Sequence, residues 1–459
     1  MGNTSFHPPL SPLLYEPLAP SHRPSREGRS GVLSYAGERS IPRPKVGDGN
    51  LKKRTMKIPT QQQIIEASEK YLMKTYARVP VALVRGEGSR VFDADGKSYI
   101  DFLAGIAVNG LGHGHPALLQ AIQEQSKKLL HVSNLYHIEP QAELARLLVE
   151  HSFADKVFFC NSGAEANEAA IKLARKAAKD RGEPDRFEII TMTQSFHGRT
   201  LATLTATGQE KFHKGFEPLV PGFRYIPFND IRAAEKAVDG KTCAVLVEPV
   251  QGEGGINVAS LDYLPALRSI CEKRGALLIF DEVQCGMGRT GRLFACEHFG
   301  VWPDIMTLAK SLAGGIPIGA MLARDEVAKS FTPGTHASTF GGNPLSCAAG
   351  IAVMKTLLSP GFMENVKARS DYFQGRLLKI KETHPVIREI RALGLMIGME
   401  ITVEGAPIVK ACMEKGFLIN CTNGNVLRFL PPLIIRDEEI DLLMEALDEI
   451  FQVGDFALK

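Results

Sequence analysis

The sequence has no apolar run long enough to cross a membrane, and no two of its cysteines show the CxxC spacing of zinc or thiol redox centres. The eight cysteines are scattered, and most lie in apolar stretches. We therefore expect buried thiols in a reducing compartment rather than disulfides or a zinc site. The N-terminus shows no secretory apolar segment, so we expect a cytoplasmic protein without a membrane partner.

The body of the chain also lacks an excess of either charge. Net charge is +3, but residues 1–55 carry nine Lys and Arg against four Asp and Glu, which is +5 there and −2 for the remainder. A near-neutral body argues against nucleic acid as a partner. Residues 1–55 are rich in Pro, Ser, Arg and Gly without an apolar period, which predicts a disordered basic extension. It could be a transit peptide, a tail or an upstream extension before Met56.

The rest of the chain has the patterning of an α/β protein. With 459 residues, it is long enough for two domains. Short apolar runs alternate with helical patterns from Lys156 onward, one of them the strand predicted at Ala244–Val250, and this favours a mostly parallel, doubly wound sheet. We predict an N-terminal segment, a large domain and a small C-terminal α+β domain, over 56–110, 111–350 and 351–459.

Two buried-type strands each end at a charged residue. The run Leu277–Phe280 stops at Asp281, and the run Ile305–Ala309 stops at Lys310, 29 positions later. Ligands bind at the carboxyl edge of such sheets. A lysine and a carboxylate at one edge suit pyridoxal phosphate, because the lysine binds the aldehyde and the carboxylate keeps the pyridine nitrogen protonated. Either residue alone is more often an ordinary surface lysine or strand-end acid.

Three further blocks follow predicted strands. Asn161–Ala166 joins a strand to a helix with small residues, which suits a phosphate. Ser195–Thr200 offers an aromatic ring for stacking and an arginine for a carboxylate. Val247–Gly255 carries two carboxylates in a glycine-rich loop. Taken singly, these blocks also read as a capped helix, a core Phe with a surface Arg, and a solvated turn.

Two other polar segments are less specific. His113 and His115 stand in a glycine loop without a third ligand nearby, which favours a structural role, and we expect no metal. The segment Thr335–Pro344 is polar and glycine-rich, and contact with a phosphate or a second subunit would explain it.

Together these blocks resemble the class III, ornithine-type aminotransferases of PLP fold type I, over roughly Ile58 to Phe451. The blocks that carry the resemblance are NSGAEANE, SFHGRT, VEPVQGEGG, IFDEVQCGMGRTG, TLAKS and STFGGNPL. The resemblance implies pyridoxal phosphate as cofactor and a large domain with a mostly parallel, seven-stranded type of sheet. It also implies a smaller α+β domain built from the N- and C-terminal segments, and a homodimer with shared active sites.

The resemblance implies roles for residues at matching positions. Lys310 would bind the cofactor and then move the proton at the reacting carbon, and Asp281 would bind the pyridinium nitrogen. The remaining cofactor contacts would be the phosphate-binding residues Ser162, Gly163 and Ala164, the ring-face residues Phe196 and Val283, Gln284 at the phenolic oxygen, and Thr339 reaching the phosphate from the partner subunit.

The resemblance also implies how substrates bind. Arg428 would take the α-carboxylate and Arg199 a second carboxylate, such as that of glutamate. Glu253 would pair with Arg428 when the amine donor is an ω-amine and move aside for glutamate. Ser338 is a further implied substrate contact.

Two features of the sequence narrow the choice of substrate. The stretch FLAGIAVNGLGHGHPAL resembles the subgroup that acts on N-acetylornithine, and Ile106 replaces a tyrosine that orients free ornithine in ornithine aminotransferases. The expected reaction transfers the δ-amino group of N-acetylornithine to 2-oxoglutarate, in arginine biosynthesis. Succinylornithine, ornithine, 4-aminobutyrate and succinyldiaminopimelate remain alternatives, as do a PLP-dependent aminomutase and a PLP-fold binding protein without activity.

Overall fold

The computed structural model describes residues 59–453, which fall within one compact unit. The extension predicted over residues 1–55, and Met56 with it, lie outside the described residues.

The N-terminal segment is a capped helix followed by a meander of short strands. The side chain of Thr60 accepts from the N–H of Gln63, and the side chain of Gln63 accepts from the N–H of Thr60, so both ends of a capping box are present. The three strands pair antiparallel, as predicted. The elements are α1 Gln61–Tyr71, β1 Leu83–Glu87, β2 Arg90–Asp93, β3 Ser98–Asp101, α2 Ala104–Ala107, α3 Pro116–Ser126 and α4 Glu139–Glu150.

The large sheet has seven strands, and this confirms the predicted α/β class. The strand predicted over Ala244–Val250 ends at Val247, because Pro249 has no N–H to give to the ladder. The elements are β4 Lys156–Cys160, α5 Gly163–Asp180, β5 Glu188–Met192, α6 Leu201–Ala206, α7 Glu210–His213, β6 Phe223–Ile226, α8 Ile231–Ala237, β7 Thr242–Val247, β8 Val250–Gln251, β9 Asn257–Val258, α9 Tyr263–Arg274, β10 Leu277–Asp281, β11 Ile305–Leu308, β12 Gly319–Ala323, α10 Asp325–Ala328 and α11 Pro344–Leu357.

The order of these strands places the carboxyl ends of β10 and β11 side by side at one edge of the sheet. The sheet runs β4-β12-β11-β10-β7-β5-β6, and the five strands from β11 to β6 are parallel. Strand β12 runs antiparallel to both of its neighbours. Strands β7, β10, β11 and β12 are buried along their whole length, as expected for a sheet covered on both faces.

The C-terminal segment forms a four-stranded antiparallel sheet, β13-β14-β17-β16, with helices. Its short strand β15 pairs parallel with β3, so the N- and C-terminal segments share a sheet. This confirms a smaller unit built from both ends, while the boundaries at 110/111 and 350/351 stay predictions. The elements are α12 Phe362–Thr383, β13 Ile387–Leu393, β14 Met396–Ile401, α13 Ala406–Glu414, β15 Phe417–Leu418, β16 Asn420–Thr422, β17 Val426–Phe429 and α14 Asp437–Val453.

All eight cysteines are free thiols, and seven of them are buried. Within residues 59–453 no single helix is long and apolar enough to cross a membrane; the bent pair α11–α12, whose axes differ by 72°, reaches that length only when the two are joined.

Candidate active site

The two charged strand ends lie side by side. Strands β10 and β11 are parallel neighbours, with Asp281 opposite Thr307. Asp281 ends β10, and Lys310 follows β11 at the start of a 3₁₀ turn. Both side chains line one cavity of about 440 Å³. The sheet therefore places the acid and the amine in one site at its carboxyl edge, as the sequence predicted.

Asp281 is held by buried hydrogen-bond donors. Its Oδ2 accepts from Nδ2 of Asn167 at 2.7 Å and from Nδ1 of His197 at 2.8 Å. Its Oδ1 accepts from the N–H of Val283 at 3.0 Å. Asn167 is itself fixed, because its Oδ1 accepts from Oγ1 of Thr307 at 2.8 Å. These three donors fix the position of the Asp281 side chain in the cavity wall.

Lys310 has a free amine in a largely dry place. It makes no hydrogen bond or ion pair with any residue in 59–453. Burial lowers the pKa of its amine, and the charge of Arg428 adds to this, while the carboxylates of Glu253 and Asp281 act in the opposite direction. A lowered pKa leaves more of the neutral amine, the form that attacks an aldehyde and accepts a proton.

The start of α5 forms the wall of the cavity at one end. The Oγ of Ser162 accepts from the N–H of Glu165 at 3.2 Å and caps the helix. A Cβ at Gly163 would lie 2.7 Å from Cγ1 of Val283, so only glycine allows this close approach. Ser162, Gly163 and Ala164 all line the cavity. The positive end of an 18-residue helix therefore faces the cavity and suits a phosphate.

An ion pair between the buried Arg428 and the half-buried Glu253 contacts Gln284, a residue of the cavity lining. Nη1 of Arg428 is 2.6 Å from Oε1 of Glu253, and Nε of Arg428 donates to Oδ1 of Asn420 at 3.1 Å. Nε2 of Gln284 donates to the same Glu253 oxygen at 3.2 Å. Burial works to raise the pKa of Glu253, but the charges of Arg428 and Lys310 outweigh it and the pKa lies below its ordinary value. Arg428 is thus neutralised by a carboxylate in this conformation.

Phe196 and Arg199 lie on the wall that follows β5. The N–H of Phe196 donates to Oε2 of Glu248 at 3.0 Å. Arg199 is exposed, and its guanidinium lies 4.0 Å from the ring centroid of Phe212 and 5.5 Å from that of Phe196. Both Phe196 and Arg199 line the cavity. No carboxylate among residues 59–453 pairs with Arg199, so its charge is available to an anionic ligand.

Four predicted contacts lie outside the cavity lining: Glu253 and Arg428, which contact the lining residue Gln284, and Ser338 and Thr339. The Oγ of Ser338 accepts from Nδ2 of Asn161 at 3.2 Å and from the N–H of Gly341 at 3.0 Å, and Asn161 lines the cavity. Thr339 is exposed and does not reach the cavity of its own chain. Its predicted contact is with the cofactor of a partner subunit, and that stays a prediction.

Comparison with known proteins assigns the family. The family model of class III aminotransferases matches residues 71–451, most of the chain. The chain belongs to the class III aminotransferases. This confirms the resemblance and makes the protein a PLP-dependent aminotransferase.

The relatives of this aminotransferase are similar over nearly their whole length. It is 56% identical to the acetylornithine aminotransferase of Caldanaerobacter subterraneus, covering 84% of this chain and 98% of that one. It is 54% identical to the acetylornithine aminotransferase of Methanocaldococcus jannaschii, covering 85% and 98%. Its fold matches a structure of the Toxoplasma gondii ornithine aminotransferase with a TM-score of 0.83 and 36% identity, covering 86% and 95%.

The residues of this aminotransferase fit pyridoxal phosphate. The cavity offers an amine without a protein partner, a buried carboxylate held by hydrogen-bond donors, and a helix N-terminus. An aromatic ring and a branched aliphatic side chain, Phe196 and Val283, line the same space, and a Cβ at Gly163 would intrude on it. Lys310, Asp281 and Gly163–Ala164 are therefore the groups that would hold the aldehyde, the ring nitrogen and the phosphate.

Several residues of the aminotransferase site had no role in the sequence analysis. Asn167, His197 and Thr307 hold Asp281, directly or through one another. Glu248 is buried, and burial together with the charge of Asp281 raises its pKa well above the ordinary value. One signal was available: Asn167 lies four residues after Gly163, so both face the same side of α5.

Proposed function

We propose that this aminotransferase moves the δ-amino group of N-acetylornithine to 2-oxoglutarate, giving N-acetylglutamate 5-semialdehyde and glutamate in arginine biosynthesis. The proposal is supported by more than 50% identity to two proteins named acetylornithine aminotransferase, each matched over 98% of its length. Ile106 adds to it, because a substrate whose α-amine is acylated does not need the tyrosine that orients free ornithine.

The observation that carries the proposal is the closed pair of Arg428 and Glu253. An ω-amine donor brings a CH₂–NH₂ end to the cavity, without a carboxylate on the reacting carbon. Glu253 lies 2.6 Å from Arg428 and neutralises its charge, so Arg428 does not require a carboxylate on the reacting end of the donor. Glutamate and 2-oxoglutarate do carry a carboxylate there, and release of Glu253 would free Arg428 to bind it in bidentate fashion.

The chain's own groups divide the work of the reaction. When bound, pyridoxal phosphate supplies an electron sink that acidifies the carbon next to the substrate nitrogen. Lys310 would move the proton between that carbon and the former aldehyde carbon of the cofactor, away from the donor in the first half-reaction and onto the acceptor in the second. Asp281 would keep the ring nitrogen protonated, and Phe196 and Val283 would contact the two faces of the ring. Arg199 binds the distal carboxylate of 2-oxoglutarate, which orients the acceptor for the return of the amino group.

We also propose a homodimer in which Thr339 of one chain contacts the cofactor phosphate of the other. The exposed side chains of Thr339 and Phe340 beside the cavity-lining Asn161 support this arrangement. Seven buried free thiols support a reducing compartment such as the cytoplasm.

An amine-donor panel tests the proposed function. The purified protein is assayed with 2-oxoglutarate as acceptor and N-acetylornithine, N-succinylornithine, ornithine, 4-aminobutyrate and succinyldiaminopimelate as donors. We expect the highest kcat/KM with N-acetylornithine and no turnover without an added 2-oxo acid. A higher kcat/KM with free ornithine would contradict the assignment, and product formation without 2-oxoglutarate would indicate an aminomutase.

A further inference from the structure

The turn after β3 has a backbone conformation that its side chains disfavour. Four successive residues, Ala104, Gly105, Ile106 and Ala107, have positive φ angles of 49°, 65°, 64° and 61°, and three of them carry a Cβ. The left-handed region brings a Cβ close to the following carbonyl oxygen, and the branched Ile106 tolerates it least. Such strain persists only where surrounding contacts enforce it.

A single buried carboxylate provides that enforcement. Oδ1 of Asp101 accepts from the N–H of Leu103 at 2.9 Å and from the N–H of Ala104 at 2.8 Å. Oδ2 of Asp101 lies 2.9 Å from Nε2 of His113, on the chain leaving the turn. Asp101 is 5% exposed. It therefore ties together the residues that enter the turn and the residue to which the chain returns.

The residues of this left-handed turn also contact the segment that carries Lys310. The carbonyl of Ala107 accepts from Oγ of the buried Ser311 at 2.7 Å. Ser311 follows Lys310, whose own φ of +45° is also in the left-handed region. The next residue of the turn segment, Val108, lines the active-site cavity. The strained turn is thus one hydrogen bond away from the backbone that carries the catalytic amine.

The segment from Phe102 to Gly110 also contacts the residues that follow β17, the strand that carries Arg428. The N–H of Leu430 donates to the carbonyl of Phe102 at 2.7 Å, and the N–H of Leu433 donates to the carbonyl of Gly110 at 2.7 Å. Leu430 is two residues after Arg428. The segment from Phe102 to Gly110 therefore contacts the backbone near both Lys310 and Arg428. The amine and the carboxylate-binding arginine must keep their relative positions during the reaction.

We propose that Asp101 is a positioning residue: together with His113 it clamps the left-handed turn Ala104–Ala107, and the turn, through Ala107 and Ser311, sets the direction of the Lys310 amine. The inference rests on the proposed role of Lys310 as the cofactor-binding and proton-transferring lysine. Asp101 does not line the active-site cavity, and its effect on the reaction passes through the backbone.

The test compares Asp101→Ala with a matched control, Asp93→Ala. Asp93 is equally buried, belongs to the same meander, and also caps backbone N–H groups, those of Asp95 and Lys97. Its other oxygen accepts from the hydroxyl of Tyr99 rather than from a residue near the segment that carries Lys310. Both variants should lose stability, but only Asp101 is connected to Ser311.

Three quantities are measured on the cofactor-loaded and cofactor-free proteins. We expect Asp101→Ala to lower kcat about tenfold to a hundredfold, with KM for 2-oxoglutarate little changed, because a misdirected amine slows proton transfer more than binding. The pH midpoint of the bound cofactor's visible absorbance should move by about half a pH unit or more, since the amine changes its distance from neighbouring charges. In the cofactor-free protein, the pH dependence of amine labelling at Lys310, read by peptide mass spectrometry, should shift as well.

Asp93→Ala should change none of these three readouts. If both variants changed them equally, Asp101 would have only a structural role, and if Asp101→Ala left all three unchanged, the inference would be wrong. Two further variants cover the case in which Asp101→Ala does not fold. Ser311→Ala should produce a smaller change in the same direction. Ala107→Gly, which fits the left-handed backbone without strain, should partly restore kcat when it is added to Asp101→Asn.

Failure of this inference differs from failure of the proposed function. Wild-type protein without transaminase activity, or Lys310→Ala with full activity, would remove the role of Lys310 itself. Active wild-type protein, inactive Lys310→Ala and an unchanged Asp101→Ala would leave that role intact and refute only the positioning by Asp101.

Discussion

The cofactor end of the cavity and the ion pair that adjoins the cavity through Gln284, here called the substrate end, are built differently. At the cofactor end, Asp281 is held by Asn167, His197 and the backbone of Val283, with little access for water. At the substrate end, Arg428 is equally buried but has as its charged partner a Glu253 that is 27% exposed and lies in a glycine-rich loop. One end holds a carboxylate in a fixed position, and the other holds an arginine whose carboxylate partner lies in a glycine-rich loop.

This difference matches the demands of the two ligands. The ring nitrogen of the cofactor has the same role in both half-reactions, so a rigid network that holds Asp281 in one position serves it throughout. The substrates alternate between a donor with an uncharged reacting end and an acceptor with a carboxylate there. An exchangeable ion pair can serve both, because its arginine is paired in either case. The four predictions below test this contrast.

The largest effect is expected for the substitution of Lys310. Lys310→Ala removes the amine that binds the cofactor and moves the proton, so turnover and the visible absorbance of the bound cofactor should both disappear. Lys156→Ala, at an exposed lysine of the same large sheet, is the control and should keep both. A Lys310→Ala protein that retains activity and absorbance would refute the assignment.

The next effect tests the rigid end. Asp281→Ala removes the charge that keeps the pyridine nitrogen protonated, and we expect kcat to fall about a hundredfold to a thousandfold. The control is Asp304→Ala, since Asp304 is also buried and accepts from the N–H of Leu278 and from Arg268 at the opposite edge of the sheet. It should reduce the unfolding free energy but not the rate per folded molecule. Normal rates in Asp281→Ala would contradict the pyridinium role.

A smaller effect is expected at the exchangeable end. Glu253→Gln keeps the shape but removes the charge that neutralises Arg428, so kcat/KM for N-acetylornithine should fall about tenfold relative to that for glutamate. Glu188→Gln is the control, because Glu188 pairs with Arg224 at 2.8 Å at the amino end of β5, opposite the carboxyl edge of the sheet. An unchanged ratio of the two substrates in Glu253→Gln would argue against the switch.

The smallest effect is one of pH on stability at Glu282, the buried residue that follows Asp281. Burial raises the pKa of Glu282 from its ordinary 4.5 to about 7, although the N–H groups of Cys296 and Ala295 favour the charged form. The folded protein then holds a proton that the unfolded chain has lost between these values. Its stability should therefore fall as pH rises from about 4.5 to about 7, by at most about 3 kcal/mol.

Denaturant unfolding of wild type and Glu282→Gln across this pH range measures that contribution. The difference between the two unfolding free energies should change over the window and level off above it. A difference that stays flat would mean that the Glu282 carboxylate is less shielded from water than its burial indicates.

Sequence patterns were sufficient for the parts of the fold that depend on local periodicity. The apolar runs before Asp281 and Lys310 predicted two strands of a parallel sheet, and parallel strands bring their carboxyl ends to one edge. The antiparallel strand β12 was not predicted, because an apolar run carries no information about its direction. Nor was the pairing of β15 with β3, which joins residues more than 300 positions apart.

The candidate site shows the same limit. Residues with one dominant chemistry, such as the strand-end Asp281 and Lys310, could be selected from their type and position. Asn167 and His197 could not, because their contacts with Asp281 span 114 and 84 positions and exist only after folding. The left-handed turn after β3 contains one glycine among four residues, so its composition does not indicate its conformation.

The most direct test of the account is chemical attachment of the cofactor. The loaded protein is treated with borohydride, which makes the link between cofactor and lysine permanent, and its peptides are mapped by mass spectrometry. We expect the cofactor mass on the peptide that contains Lys310 and on no other lysine, with no labelling in Lys310→Ala. Labelling of a different lysine in a catalytically active protein would contradict the central claim that Lys310 and Asp281 together form the site.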